Sequence, residues 1–298
     1  MKIFDCFMYS DENMLLDIRF NILNNIVDKF VIAEAKYTHD GSLKKLNFDI
    51  NKYQMFKNKI NYIVVENESP EIRPINREDA NTTIADKKIL NSIKRDHYQR
   101  EQLSIGIAEA DAEDLIIISD LDEIPNLNEI EFNNINNEIL FFKQKMFYYK
   151  LNLHYDGYCW YGSKAVKKKK FISPQWLRNL KSKKYPFWRF DTFFSEKKYM
   201  NIKFVDNGGW HFTCIKKPEE IEKKLLSFAH HYDYEQAGLS LEDLKSKIKE
   251  KYVLYDHHLD KRASNKWNST KKLSKIDINE MPEFIKINKN LYKDWLEN

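Results

Sequence analysis

Cysteine is scarce in this chain of 298 residues, and the three present, Cys6, Cys159 and Cys214, are scattered. Their spacing excludes a disulfide framework and a cysteine-based zinc site. Glycine and proline number seven each, too few for collagen-like or low-complexity chains. No P-loop and no dinucleotide glycine fingerprint occurs, which weighs against an NTPase or a nicotinamide enzyme. Also lacking are a G-x-S-x-G elbow and a plausible Cys/His pair for nucleophilic catalysis. No apolar run approaches the length of a transmembrane helix. The N-terminal MKIFDCFMYSDE has no signal-peptide core and reads as a strand. These absences lead to the expectation of a soluble, cytoplasmic protein with no transmembrane segment. Net charge is a mild +4, which suits anionic ligands without demanding nucleic acid as a partner.

What is present is a globular composition, 42% hydrophobic and 32% charged, long enough for one large domain or a domain with an appendage. Apolar runs at 3–9, 30–35 and 62–67 read as strands. The segment after Ser10 and Asp11, either of which can cap a helix, carries an apolar face of Leu15, Leu16, Ile18, Phe20, Leu23 and Ile26. Residues 80–111 read as one long helix. Strands alternating with helices argue for an α/β fold with a parallel sheet. The second half differs. Residues 139–153 form a long aromatic strand or a pair of strands, and 202–213 a strand broken by Gly208 and Gly209. Pro218 opens a helix running to His231. Ser240, with Asp243 three residues on, opens another. The tail from about Lys261 is polar and reads as loosely packed.

LIIISDLDEIP, residues 115–125, carries the clearest chemical signal. Four apolar residues read as a strand buried on both faces, which then stops on Asp120, Asp122 and Glu123. Ligands of open α/β sheets gather at the carboxyl ends of strands. Asp120 and Asp122 share a face on an extended backbone and repel each other unless a cation lies between them. A hard divalent cation bridging a diphosphate answers that need. An acidic turn that merely ends a strand is the bland alternative.

Two further anomalies stand out. On the long helix, Ile93, His97, Arg100, Ser104 and Ile107 share one face. An arginine on an apolar face needs an anion, either a structural carboxylate or a bound phosphate. In GGWHF, residues 208–212, paired glycines beside Trp210 suggest close approach of backbone or ligand. His211 follows directly, and imidazole with carboxylate suits manganese. The run Lys167 to Lys170 reads as a solvated loop, or as a contact for an anionic acceptor. The Trp160–Gly162 loop has the aromatic and polar mix that stacks on sugars.

Taken in order, IFDCFMYSDE with LLDIR, FVIAEAKYTHDG, YQRE before LIIISDLDEIP, MFYYKLNL, GGWHF and SFAHHY resemble glycosyltransferase family 17. Its named animal members add the bisecting N-acetylglucosamine to N-glycans. The resemblance spans about residues 2–235. It implies a GT-A type nucleotide-diphospho-sugar transferase fold, a Rossmann-like mixed sheet flanked by helices, over 1–235. Residues 236–298 would then be a C-terminal helical extension. It implies inverting transfer from a UDP-sugar, UDP-N-acetylglucosamine, to a glycan or glycoconjugate acceptor, assisted by Mn²⁺ or Mg²⁺. Carried over by position, Asp122, Asp120 and His211 would serve the metal, with Asp122 binding it directly and Asp120 contacting the ribose or a metal-bound water. Glu34 would face the nucleobase and Arg100 the diphosphate, and Trp210 joins this sugar-nucleotide set. The catalytic base would be Asp206, Asp191 or Glu123, with Asp206 favoured because its loop should abut the metal. Glu101 stands where the family resemblance leads to asparagine, and SFAHHYDYE departs from the expected pattern around His230.

Two other readings fit the same residues. A metal-dependent nucleotidyltransferase also uses paired aspartates on nucleotide phosphates. A non-catalytic glycan-binding protein on this scaffold would use the aromatic second half without metal or UDP.

Overall fold

The apolar runs become strands of two mixed sheets. The computed structural model describes every residue except 137, 187, 190, 191, 193, 228–233, 235, 236 and 260–263. Strands β1 (Ile3–Tyr9), β2 (Lys29–Ala35), β3 (Ile60–Val65) and β4 (Leu115–Asp120) pair in parallel in the order β3-β2-β1-β4. Ile116, Ile117 and Ile118 are wholly buried, because the sheet is covered on both faces and β-branched side chains fill such a pleated interior. Three later strands extend the sheet beyond β4. β9 (Lys164–Lys167) pairs antiparallel with β4 and with β6 (Ile139–Phe142), and β10 (Ile202–Val205) pairs in parallel with β6. The strand order reverses between β1 and β4, so a crevice opens at their carboxyl ends, where Met8 lies opposite Asp120.

Helix α1 (Asn13–Leu23) buries Leu15, Leu16, Ile18, Phe20 and Leu23, as its periodicity requires. Its N-cap is Glu12, without a side-chain cap, rather than Ser10 or Asp11. Asp11 instead meets Lys216 at 2.6 Å. The long helix is shorter than its sequence pattern. α2 (Asn81–Glu101) stops, and α3 (Leu103–Gly106) forms a separate turn. A Cβ at Gly106 would lie 2.3 Å from Val31, so the chain presses onto β2 here. Arg100 and Ile107 are buried, while Ser104 is exposed and Ile93 and His97 are half-buried.

The aromatic run divides, and the division builds the second sheet. β6 ends at Phe142 in the first sheet, and β7 (Gln144–Tyr148) begins the second. Beside them β10 gives way to β11 (Gly209–Thr213), which pairs in parallel with β7. Both chains cross between sheets together. Lys143 N–H donates to Val205 O, Gly208 N–H donates to Lys143 O, and the Lys143 ammonium meets Asp206 at 2.6 Å. β5 (Glu123–Pro125), β8 (Leu153–Trp160) and β12 (Ser274–Lys275) complete the order β12-β8-β7-β11-β5. Gly209 is obligatory, since φ is +122° and a Cβ would lie 2.1 Å from Ile124 O. The close approach read from GGWHF is therefore one of backbone to backbone.

The later helices are α4 (Pro174–Asn179), α5 (Pro218–Ser227), α6 (Leu241–Lys249) and α7 (Glu283–Ile287). α6 opens on the expected capping box between Ser240 and Asp243. The expected domain boundary at 235 and 236, and the end of the α5 pattern, lie outside the described residues. The tail is packed, contrary to expectation. Met281, Ile285 and Tyr292 share a core with Leu15 and Leu16, and Tyr292 donates to Asp17 at 3.0 Å. Leu151 N–H donates to Trp295 O at 2.8 Å. Its lysines and asparagines make the segment look polar, but Leu273, Met281, Ile285 and Tyr292 are buried against the domain, while Ile287 and Leu291 stay exposed. Among the described residues no helix is long and apolar enough to cross a membrane.

Candidate active site

The crevice between β1 and β4 holds the carboxylates that end β4. Asp120 is clamped by two arginines. Arg178 Nη2 donates to Oδ2 at 2.7 Å, and Arg100 Nη2 to Oδ1 at 3.3 Å. Burial works to raise its pKa, but these guanidiniums win and hold the carboxyl well below the usual range. Arg100 also binds Asp96 in a fork, at 2.7 and 3.2 Å, and Gln175 at 2.6 Å. Its demand for an anion is thus met by structural carboxylates, and its Nε stays buried without a partner among the described residues.

Arg178 ties the two sheets together. Besides Asp120 at the end of β4, it donates to both oxygens of Glu123 on β5, at 2.6 and 2.8 Å, and to Gly162 O at 2.6 Å. Its helix α4 starts on Ser173, whose hydroxyl accepts from Trp176 N–H. Glu101 accepts from Ser173 Oγ and Gln175 N–H, so the departure at Glu101 anchors the helix that delivers Arg178. Gly162 packs against Glu123 so closely that a Cβ would lie 2.1 Å from the carboxyl carbon. Lys164 on β9 donates to Arg178 O and Leu180 O at the far end of α4. Burial pushes its ammonium down to about 7.

Asp122 faces different neighbours. His211 Nε2 lies 3.7 Å from its Oδ1. Burial opposes ionisation, but His211 and then Lys224 hold the Asp122 carboxyl below its usual range. Lys224, on α5, lies 3.4 Å from Glu12. Burial would lower its pKa, but Glu12 and Asp122 raise it. Trp160 stacks on His211 with centroids 4.8 Å apart. Its indole N–H donates to Glu123 at 2.6 Å. His211 Nδ1 is buried and has no hydrogen-bond partner among the described residues.

The structure thus brings together Asp120, Asp122, Glu123, Arg100 and His211, and it places Asp206, Glu34 and Trp210 in other surroundings. Asp206 is 79% exposed and bound to Lys143. β11 runs antiparallel to β5, with His211 opposite Glu123 and Gly209 opposite Pro125. Moving back from His211 to Asp206 therefore leads away from Asp122, so the loop staples the crossover between sheets instead of abutting the carboxylates. Glu123 is inside the site, yet it accepts from Arg178, Trp160 and Asp120 N–H, which leaves it an anchor and not a base free to take a proton. Asp191 lies outside the described residues, as does His230. Glu34 is wholly buried and accepts from Lys44, Asn47 N–H, Phe48 N–H and Tyr62. It pins the loop after β2 and offers nothing to a nucleobase. Trp210 alternates with His211 along β11 and packs against the main core; the tryptophan beside His211 is Trp160. Asp120, with both oxygens held by arginines, is not an open metal ligand. Among the lysines of the basic run, Lys167 and Lys169 pair with Glu113.

Arg178, Lys224 and the role of Trp160 were not read from the sequence. One signal pointed toward Arg178. Three carboxylates at a buried strand end need more cations than Arg100 alone, and a Ser-Pro helix start with an arginine in its last turn was at hand.

This is a mixed α/β protein with an acidic, arginine-braced site at the carboxyl ends of its central strands. The chain belongs to glycosyltransferase family 17, whose model matches residues 1–253. Membership gives it a role in glycosyl transfer, between a sugar donor and a glycan acceptor. No curated protein matches the chain.

Proposed function

We propose that the chain is an inverting glycosyltransferase of GT-A type. It moves N-acetylglucosamine from a UDP-sugar to a hydroxyl of a glycan acceptor, with Mn²⁺ or Mg²⁺ held by Asp122 and His211. The observation that supports this reading best is the Asp122–His211 pair, 3.7 Å apart at the end of β4. With its proton on Nδ1, a neutral His211 would offer the Nε2 lone pair beside Asp122. Among the described residues no three His, Cys, Asp or Glu side chains cluster as a closed metal cage. Two protein donors suit a hard cation whose remaining positions are filled by substrate phosphates. Charge favours it too. Asp96, Asp120, Asp122, Glu123 and Glu12 gather around Arg100, Arg178 and Lys224, a surplus of two negative charges.

Glycosyl transfer breaks the bond from the anomeric carbon to the diphosphate and forms one to the acceptor oxygen, while the hydroxyl proton leaves to a base. Negative charge grows on the departing diphosphate. The divalent cation, when bound, supplies Lewis-acid stabilisation of that charge. Arg100 and Arg178 hold Asp120 ionised and fixed, so the end of β4 needs no rearrangement on binding. Lys224 adds positive charge on the Asp122 side. Trp160, fixed by its bond to Glu123, lies flat on the imidazole and sets the plane of His211.

Calorimetric titration with UDP, with and without Mn²⁺, tests the reading, using ATP and CTP as controls. Manganese-dependent binding selective for UDP is expected. Tighter binding of CTP or ATP would favour a nucleotidyltransferase, and glycan binding indifferent to both metal and UDP would favour a binding module.

A further inference from the structure

Arg19 takes no part in that chemistry, yet it is the most enclosed cation near it. Its side chain and that of Asp5 are both wholly buried, one from α1 and the other from β1. Nε and Nη2 bind the two oxygens of Asp5 at 2.8 and 2.6 Å. Nη2 also reaches the Ser119 hydroxyl. Nη1 points into the turn between β4 and β5, where it donates to the carbonyl oxygens of Asp120, Leu121 and Glu123 at 3.0, 3.1 and 3.0 Å. The one carbonyl it leaves, that of Asp122, accepts from Phe212 N–H at 2.8 Å.

All four carbonyls of the 120–123 turn are therefore held, three of them by one guanidinium. A tight turn carrying the three carboxylates of Asp120, Asp122 and Glu123 opposes itself, because like charges favour splaying the backbone apart. A partial positive charge spread over three carbonyls counters that splay from beneath. Only a planar fork can do so while also binding a carboxylate at both oxygens; an ammonium is a point charge with three donors.

We infer that Arg19, braced by Asp5, is a positioning residue that sets the aim of Asp122 toward the cation and holds Asp120 against its two arginines. The inference rests on the proposed function for what the turn binds, but not for the bracing itself.

The test compares Arg19→Lys with Ile285→Ala in the full-length chain. Ile285 is wholly buried in the core shared by α1 and the C-terminal segment, so its loss lowers stability without touching the turn. Both variants should melt at lower temperature. Arg19→Lys, which keeps the charge beside Asp5 and loses the fork, should weaken Mn²⁺-dependent UDP binding at least tenfold, whereas Ile285→Ala should leave it unchanged. Amide hydrogen exchange at Leu121, Asp122 and Glu123 should accelerate in Arg19→Lys and not in Ile285→Ala. Asp5→Asn takes the place of Arg19→Lys if the latter does not fold. Wild-type affinity and wild-type exchange of these amides in the folded variant would overturn the inference. A wild-type protein that binds neither Mn²⁺ nor UDP would sink the functional reading instead, and the exchange comparison would still decide the role of Arg19.

Discussion

The two sheets were built by different rules, and the site lies on the seam between them. Four strands of the seven-stranded sheet are mainly apolar and laid down in parallel with helical connections, β1, β2 and β4 buried and β3 half-buried at the edge. Strands of the five-stranded sheet are drawn from distant parts of the chain, from Glu123 to Lys275. The first sheet supplies a rigid edge that ends on Asp120. The second supplies Glu123, Trp160 and His211, groups that are polar, partnered and individually unremarkable. The candidate site sits where a stiff, locally specified layer meets one specified by long-range pairing, because there side chains far apart in sequence converge on one carboxylate pair.

Four perturbations would break or sharpen this contrast. Asp122→Ala removes the seam's open carboxylate while leaving the Asp120 clamp, and should abolish Mn²⁺-dependent UDP binding in calorimetry with the fold intact by circular dichroism. Arg178→Ala cuts the tie between sheets and leaves Glu123 buried without its cation. A loss of about 3–5 kcal/mol of stability is expected in urea unfolding; a loss below about 1 kcal/mol would mean that the sheets hold together without it.

The third perturbation is pH, through Lys164. Its folded pKa, pushed down to about 7 by burial, lies below the roughly 10.4 of an unfolded lysine. Between those values the unfolded chain binds more protons than the native one, so stability rises with pH above 7 and has no slope from this group below it. Above about 8.5 the unfolded cysteine thiols begin to ionise. Burial raises the pKa of native Cys6 and Cys214, so they oppose the rise. Melting temperature should therefore climb between pH 7 and 8.5, and Lys164→Met should flatten that climb. The smallest effect is expected for Asp206→Asn, which removes an exposed surface pair. Turnover and melting temperature should both match the wild type; a large fall in kcat alone would return Asp206 to the reaction.

Legibility followed the same division. β1, β2 and β4 are plain in the sequence because short runs of apolar, aromatic and β-branched residues bounded by polar ones have few alternatives to a buried strand. The capping box at Ser240 and the strand-end carboxylates were plain for similar reasons, since each is written within a few residues. The helix at 80–111 was overextended because periodicity continues through Gln102, while its ending depends on Gly106 pressing against Val31 of another element. Sequence adjacency puts Trp210 beside His211, but neighbours on a strand face opposite sides, and the ring on His211 is that of Trp160. Asp206 was favoured on the same local ground. The tail was judged by composition, which counts its lysines and misses that Ile285 and Tyr292 face α1.

The sequence alone determined that this is an α/β chain whose central strand ends on Asp120 and Asp122, and its ordered motifs determined its family. Those properties depend on neighbouring residues, where propensity and burial act directly on the chain. Only the tertiary structure decided the partner of each charge. Arg178 meets Asp120 across 58 positions and Arg19 holds the turn across about a hundred. Buried charges must pair, but electrostatics does not say with which partner. That choice is made by packing, through the elements that the two sheets and α1 bring within 3 Å of one another.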